Sequence, residues 1–367
     1  MGFLPMTAPV TLPKPRPDFS RLRTVLERAG EPDRVPFIEL FADPEVISAV
    51  TGGEVVDPEP TERELRERNL LLTIRFWHEC GYDYVPMWPT VRLPIKRTAS
   101  GDTAPTTHRE REWQDESQGI INSWADFDSY PWPRPEEIDY FNLEFVGKKL
   151  PDGMQMIALG PGGQLEHVMW LMGYVPFAMT LRDDPSLVQA VSDKVGEILV
   201  SLYTTTAGMP CVGAQWIGDD MGFKTATMVS PADLRRLVFP WLKRLAGIAH
   251  SRSMPFLLHS CGNLTAIMDD LIDDVRIDAR HSFEDQIQPV SEAKRLYGDR
   301  IAVLGGADVD FMCRSGEEEV RAYTRRLIDE CAPGGGWALG TGNSVANYIP
   351  LQNYLAMLDE GYRYGSY

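Results

Sequence analysis

Short apolar runs recur along the chain, and most are followed by a stretch whose apolar residues return every three or four positions. Eight runs, rich in β-branched or aromatic residues and closed by Gly, Asp or Pro, predict strands. They are VPFIEL (35–40), YDYVPMW (82–88), MQMIALG (154–160), VGAQWIG (212–218), PFLLHSC (255–261), RIDARHSF (276–283), IAVLGG (301–306) and GWALGTG (336–342). The intervening segments carry helical periodicity, as in LEHVMWLMGYVPFAMTL and SLVQAVSDKVGEILVSLYTTTAG. Ser230 before Pro231 is an N-cap signal for SPADLRRLVFPWLKRLAGIAHS. Ser315-Gly316-Glu317-Glu318 resembles a capping signal before EEEVRAYTRRLIDECA, and Pro333-Gly334-Gly335-Gly336 stops that helix. Eight strand–helix units predict an α/β fold, a parallel sheet closed as a (β/α)₈ TIM-type barrel. A single domain over residues 18–367 follows, with residues 1–17 as an extended arm. No Gly-x-Gly-x-x-Gly follows the first strand, so a dinucleotide-binding sheet gains no support.

Residues 89–135 break the rhythm. They form an insertion after the second strand, in which TVRLPIKRTA and THREREWQD can pair as a hairpin and GIINSW can add a short strand. In a barrel this insertion lies at the C-terminal mouth, where loops build active sites.

Composition narrows the function. Of 367 residues 43 % are apolar and 24 % charged, as in a folded soluble protein. Lys and Arg number 36 against 53 Asp and Glu, a net charge of −17. That sign opposes binding to nucleic acid and to anionic membranes. The five cysteines, Cys80, Cys211, Cys261, Cys313 and Cys331, are odd in number and widely spaced, which argues against a disulfide framework. No apolar run reaches the ~18 residues of a membrane span, and the proline-rich N-terminal stretch does not read as a signal peptide. The expected compartment is the cytoplasm.

In a barrel the chemistry gathers at the C-terminal ends of the strands. Those positions hold Glu39, Trp88, Arg92, Asp219, Asp220, His259, Cys261, His281, Glu284 and Asn343. His259 and Cys261, two apart on a strand, face the same side. An imidazole and a thiolate there make half of a zinc site; the plain alternative is a buried His beside an apolar Cys. Asp219 and Asp220 can carry a catalytic proton, hold a substrate cation, complete a metal site or cap a helix. His281 and Glu284 can form a polar network or do acid–base work, and Glu284 can be an oxygen ligand to a metal on His259 and Cys261. His167 begins an apolar helix beside Pro161-Gly162-Gly163 and can face the pocket. Tyr84, Trp88, Trp124 and Trp132 are candidates for an aromatic pocket wall.

Six segments carry a resemblance that covers nearly the whole chain from residue 18. They are FSRLRTVLERAGEPDRVPFIE, IGDDMGFKTATMVSPADLRRLVFPWLKRL, HSCGN, DARHSFED, KRLYGDRIAVLGGADVDFM and GGGWALGTGNSVANYIPLQNYLAMLDEGYRYG. In order and spacing they resemble the uroporphyrinogen decarboxylase superfamily, within it the methyltransferase-like branch of methylcobamide:coenzyme M methyltransferases and corrinoid-dependent demethylases. The resemblance implies a (β/α)₈ barrel. It does not extend to two features of the true decarboxylases. Their Arg-Gln-Ala-Gly-Arg motif is reduced here to Glu27-Arg28-Ala29-Gly30, and Thr341-Gly342-Asn343 stands where they keep a late histidine.

The methyltransferase branch carries zinc on a His-x-Cys pair and a second Cys near the last strand. His259 and Cys261 match the pair. Asn343 stands at the place of the second Cys, and Cys331 lies about a dozen residues too early. A site with one thiolate fewer is more Lewis acidic, and Glu284, Asp220 or Glu39 can supply the missing ligand. The resemblance therefore implies a zinc-dependent methyltransferase that demethylates a small methylated substrate, such as a methoxylated aromatic. The acceptor is a separate corrinoid protein, because the Asp-x-His-x-x-Gly signature of a corrinoid domain is absent from this chain. The family also suggests a homodimer. The alternatives are a metal-free decarboxylase, with His259 or His281 protonating carbon beside Asp219 or Asp220, and a non-catalytic ligand-binding barrel.

Overall fold

The computed structural model describes residues 10–55, 60, 62–101, 110–114 and 118–367. Among the described residues nine strands are formed: β1 (Tyr84–Met87), β2 (Arg97–Gly101), β3 (Glu110–Gln114), β4 (Gln155–Leu159), β5 (Val212–Gly218), β6 (Phe256–His259), β7 (Ala279–His281), β8 (Ala302–Leu304) and β9 (Trp337–Ala338). Seven of them form one sheet in the order β1-β4-β5-β6-β7-β8-β9, every pair parallel. Helices occupy the crossovers, as a parallel sheet requires.

The sheet curls until its two edges meet at residues 36–41. Phe37 makes a parallel bridge with Leu339, just past β9, with Ile38 N–H donating to Leu339 O at 2.8 Å and Leu339 N–H to Pro36 O at 2.9 Å. On the other edge the Tyr84 hydroxyl of β1 accepts the Glu39 N–H at 2.7 Å and donates to the Glu39 carbonyl. The result is consistent with a TIM-type barrel.

The first expected strand is therefore reduced to bridges. Pro36 has no N–H to give, and a tyrosine side chain replaces the ladder toward β1. The last three expected strands form but shrink to two or three paired residues. GIINSW is not a strand: the N–H groups of Ile120 and Ile121 both reach Leu171 O, at 2.7 and 2.9 Å, and Ser123 then caps the helix Trp124–Ser129. In the insertion β2 and β3 pair antiparallel, Arg97 opposite Gln114; residues 102–109 lie outside the described set.

The helices follow the apolar period, except that SPADLRRLVFPWLKRLAGIAHS divides at Val238 into Pro231–Leu237 and Phe239–His250, and two further differences stand out. LEHVMWLMGYVPFAMTL breaks into Gln164–Met172 and Tyr174–Asp183 at Gly173, whose φ is +75°. A Cβ on Gly173 would lie 2.6 Å from Gly119 N, so only glycine fits the turn. Ser230 caps Pro231–Leu237 as expected, its oxygen accepting the Asp233 N–H at 3.1 Å. The helix Glu317–Cys331 is capped not from Ser315 but at Gly316, whose N–H donates to Glu319 at 2.8 Å. Among the described residues no helix is long and apolar enough to cross a membrane.

Trp216 of β5 reaches past β6 to meet His281 of β7 edge-on, with ring centroids 5.2 Å apart, which marks that face as the concave one. Leu257 and Ala279 lie beside Trp216 in register, and His259 and His281 form the next row. Residues of opposite parity, such as Ile217 and Leu258, pack with the helices Pro185–Ala207 and Phe239–His250.

The N-terminal face is covered by the helix Phe19–Leu26, capped by Asp18. Phe19 N–H donates to Gly153 O at 2.8 Å, ahead of β4, and its ring leaves no room for a Cβ on Gly213, at the start of β5. Arg21 pairs with Asp83 at 2.7 Å, ahead of β1. Arg23 reaches Ser253 O at 3.2 Å, ahead of β6, and Arg28 reaches Asp299 O, ahead of β8. Gly334 N–H donates to Glu31 at 2.7 Å, ahead of β9. Arg28, part of the reduced decarboxylase motif, thus lies at the end opposite the C-terminal strand ends.

Candidate functional site

Two neighbouring strands deliver the metal-capable group. His259 is the last residue of β6, and Cys261 follows two positions later on the same side. Asp220 follows β5 and is tied to them through the backbone: Asp219 N–H donates to His259 O at 2.9 Å, and Cys261 N–H donates to Asp220 Oδ1 at 2.8 Å. His259 Nε2 stands 3.4 Å from Cys261 Sγ and 3.7 Å from Asp220 Oδ1. One ligand atom from each of Asp220, His259 and Cys261 lies within 4.8 Å of the others.

The sulfur has further neighbours. Ser282 Oγ and Asn343 Nδ2 each donate to Cys261 Sγ at 3.3 Å, from the ends of β7 and β9. Ser282 holds φ at +86°, an uncommon conformation for a side-chain-bearing residue. Gly262 crosses Gly222 so closely that a Cβ on it would lie 2.3 Å from the Gly222 carbonyl carbon. Behind the loops, buried Arg280 reaches the carbonyls of Gly262 and Ser282 at 3.4 and 3.5 Å.

Burial sets the charges. It pushes the Cys261 thiol up, and the Asp220 carboxylate pushes it further. It draws His259 down, with Asp220 opposing. A divalent cation reverses the bias on sulfur, because a coordinated thiol is deprotonated outright, while a neutral imidazole is the form a metal takes.

Asp219 points away from the sulfur. Its carboxylate accepts the N–H groups of Leu165 at 2.9 Å and Glu166 at 3.1 Å, at the start of the helix Gln164–Met172. Burial raises it to about 7, against the pull of those N–H donors. A Cβ on Gly163 would stand 2.2 Å from Asp219 Oδ1, so this approach needs glycine. Glu166 accepts the Gly163 N–H at 2.9 Å, and burial with the nearby Asp220 and Asp219 charges raises it well above the carboxylate range. His167 is buried; its Nδ1 donates to Gly163 O at 2.7 Å, and burial lowers it to about 4.

The other expected site residues are placed as follows. Asn343 joins the group through sulfur, and His281 stands directly behind His259. Glu284, the expected third ligand, is exposed and stands outside the metal-capable group, in which Asp220 stands instead. Glu39 and Tyr84 are fully buried in the seam between the sheet edges. Glu39 accepts the Thr341 N–H at 2.6 Å and also its hydroxyl, and burial raises it to about 8 despite both bonds. Trp88 and Arg92 are exposed. Trp124 is bonded to Asp184 at 2.9 Å and Trp132 packs on Tyr130, so both serve the 120–134 segment. Ser282 and Glu166 were not legible as site residues. One signal for Ser282 is the repeat His259-Ser260 and His281-Ser282, on adjacent strands in register.

Residues 120–364 match the family model for uroporphyrinogen decarboxylase (URO-D). Among curated proteins, the uroporphyrinogen decarboxylase of Thioalkalivibrio sulfidiphilus (strain HL-EbGR7) is 32 % identical over 76 residues, 21 % of either chain. That match spans about a fifth of the curated protein's length. Among solved structures, a methyltransferase from Methanosarcina mazei superposes with a TM-score of 0.63 at 18 % identity, covering 93 % of this chain and 97 % of that one. This is a likeness of fold. The putative vitamin-B12 independent methionine synthase from Listeria monocytogenes superposes more loosely, with a TM-score of 0.47 at 12 % identity over 90 % of this chain and 95 % of that one.

Proposed function

The chain belongs to the uroporphyrinogen decarboxylase family, and from that premise we propose that it is a zinc-dependent methyltransferase, moving a methyl group from a small methylated substrate to a separate corrinoid protein. The observation that carries this reading is the convergence of Asp220, His259 and Cys261. One carboxylate, one imidazole and one thiolate form a donor set that suits zinc and leaves a fourth position for substrate. A metal held there supplies Lewis acidity, drawing charge from the substrate heteroatom that loses its methyl group.

The chain's own residues prepare that chemistry. Ser282 and Asn343 hydrogen-bond the sulfur and draw electron density from it. Asn343 does so from the position where the related methyltransferases keep a second cysteine. A reduced, cobalt(I) corrinoid on the partner would supply the electron pair for the new bond to the methyl carbon, and the heteroatom would keep the pair of the bond that breaks. Donor and acceptor must be held in contact for that step. Phe223 supports a docking partner at this mouth: it is 66 % exposed, and its loop is tied to the one after Cys261 by Asn263 N–H donating to Phe223 O at 2.8 Å. A net charge of −17 favours a basic patch on that partner. The fold shared with the Methanosarcina methyltransferase is in keeping with this reading.

The test is metal content of protein purified without added metal, beside His259→Ala and Cys261→Ala. The expected outcome is about one zinc per chain, lost in both variants. Methyl transfer to cob(I)alamin from a panel of methoxylated compounds then identifies the substrate class. Wild-type protein that takes up no zinc would overturn the proposal, and decarboxylation would be assayed in its place.

A further inference from the structure

Parallel pairing of β6 with β7 sets His259 opposite His281 on the concave face, and their Nδ1 atoms lie 2.8 Å apart. Two neutral imidazoles at that distance share a single proton: one Nδ1 donates, the other accepts, and the acceptor carries its own proton on Nε2. Two arrangements satisfy this. In the first, His259 donates. Its Nε2 is then a bare lone pair turned toward Cys261 Sγ and Asp220, and His281 carries a proton on Nε2. In the second, His281 donates. The Nε2 of His259 is then occupied by hydrogen, and His281 is left with a buried lone pair.

The surroundings of His281 distinguish the two. His281 is fully buried, and the Thr341 carbonyl lies on the same side of Gly305 as its Nε2. Both crowd Gly305, where a Cβ would lie 2.3 Å from Thr341 O and 2.9 Å from His281 Nε2. The contact falls short of full hydrogen-bond geometry, but in a buried site a carbonyl oxygen still attracts an N–H and repels a lone pair. Thr341 is itself held by Glu39, which accepts its N–H at 2.6 Å. A carbonyl fixed in this way selects the first arrangement.

We propose that His281 is a positioning residue: by accepting the Nδ1 proton of His259 it holds that ring in the tautomer whose Nε2 is free to ligate a divalent cation beside Asp220 and Cys261. The inference rests on the metal-binding reading above and adds what prepares the imidazole for it. Partners behind a metal-bound histidine are usually carboxylates or carbonyls; here the partner is a second histidine delivered by strand register.

The test is zinc affinity, measured by competition with a chromophoric chelator, for the wild type, His281→Phe and His281→Asn. Phenylalanine keeps a ring and removes the acceptor, whereas asparagine places an oxygen near the position of Nδ1. His281→Phe should bind zinc about 10–100-fold more weakly and His281→Asn within about threefold of wild type. Equal affinity in wild type and His281→Phe overturns the inference and leaves the metal site standing. A wild type that binds no zinc overturns both. A tautomer measurement needs no substitution at 281: in ¹⁵N-histidine-labelled, metal-free protein, His259 (identified by the signal missing from His259→Gln) should show its pyridine-type nitrogen at Nε2. A pyridine-type Nδ1 on His259 overturns the inference.

Discussion

The amide of Asn343 donates to the Cys261 sulfur at 3.3 Å, which places position 343 next to the metal-capable group. Asn343→Cys would bring a second thiolate there. The expected outcome is roughly tenfold tighter zinc binding or more, with about twice the sulfur-to-metal charge-transfer absorbance in the cobalt(II) form, since thiolates are the stronger ligands for this metal class. Unchanged absorbance would mean that residue 343 stands too far away to ligate. At this scale the sequence was partly legible. His259 and Cys261 could be paired because alternate strand residues share a face. Asp220 could not be chosen over Glu284, because that depends on which loop folds back on Cys261, and the bond from Cys261 N–H to Asp220 is a tertiary fact. Nor does composition reveal that Ser282 sits at positive φ.

The strands were legible as apolar runs, but their lengths were not. RIDARHSF keeps only Ala279–His281 in the sheet, and VPFIEL keeps no regular strand, because Pro36 and the Tyr84 hydroxyl disrupt its ladder. Beside the backbone bridge of Phe37 with Leu339, a side chain also joins that segment to the end of β9: the Glu39 carboxyl is bonded to Thr341. Burial raises Glu39 from 4.5 to about 8. The folded protein therefore keeps a proton that the unfolded chain releases above pH ~4.5, so this group's contribution to stability falls as pH rises from there through about 8. Glu39→Gln retains both the acceptor and a donor and removes the titration. Its melting temperature should fall less than that of wild type between pH 5 and 8, as read by calorimetry; parallel curves would mean that Glu39 is already ionised across the range.

Strand–helix alternation made the curled parallel sheet legible as a whole, whereas the role of the N-terminal segment was not, since contacts to six strand starts leave no periodic mark. The helix Phe19–Leu26 brings Arg21 to Asp83, which is fully buried. Arg34 stands 3.5 Å from the same carboxylate. Removing one partner of a buried pair leaves a charge without compensation, so Arg21→Ala should lower stability by about 3–5 kcal/mol in urea titration. A loss under about 1 kcal/mol would mean that Arg34 suffices. The meeting of residues 36–42 with 339–345 has a consequence for biosynthesis. Glu39 and Thr341 are 302 positions apart, so translation at ~5–20 residues per second separates their emergence by roughly 15–60 s. Throughout that interval the nascent chain carries Phe37 and Ile38 without their strand partner and Glu39 without its hydrogen bonds. The seam closes only after the ribosome has delivered β9, so until then the sheet keeps an unpaired edge.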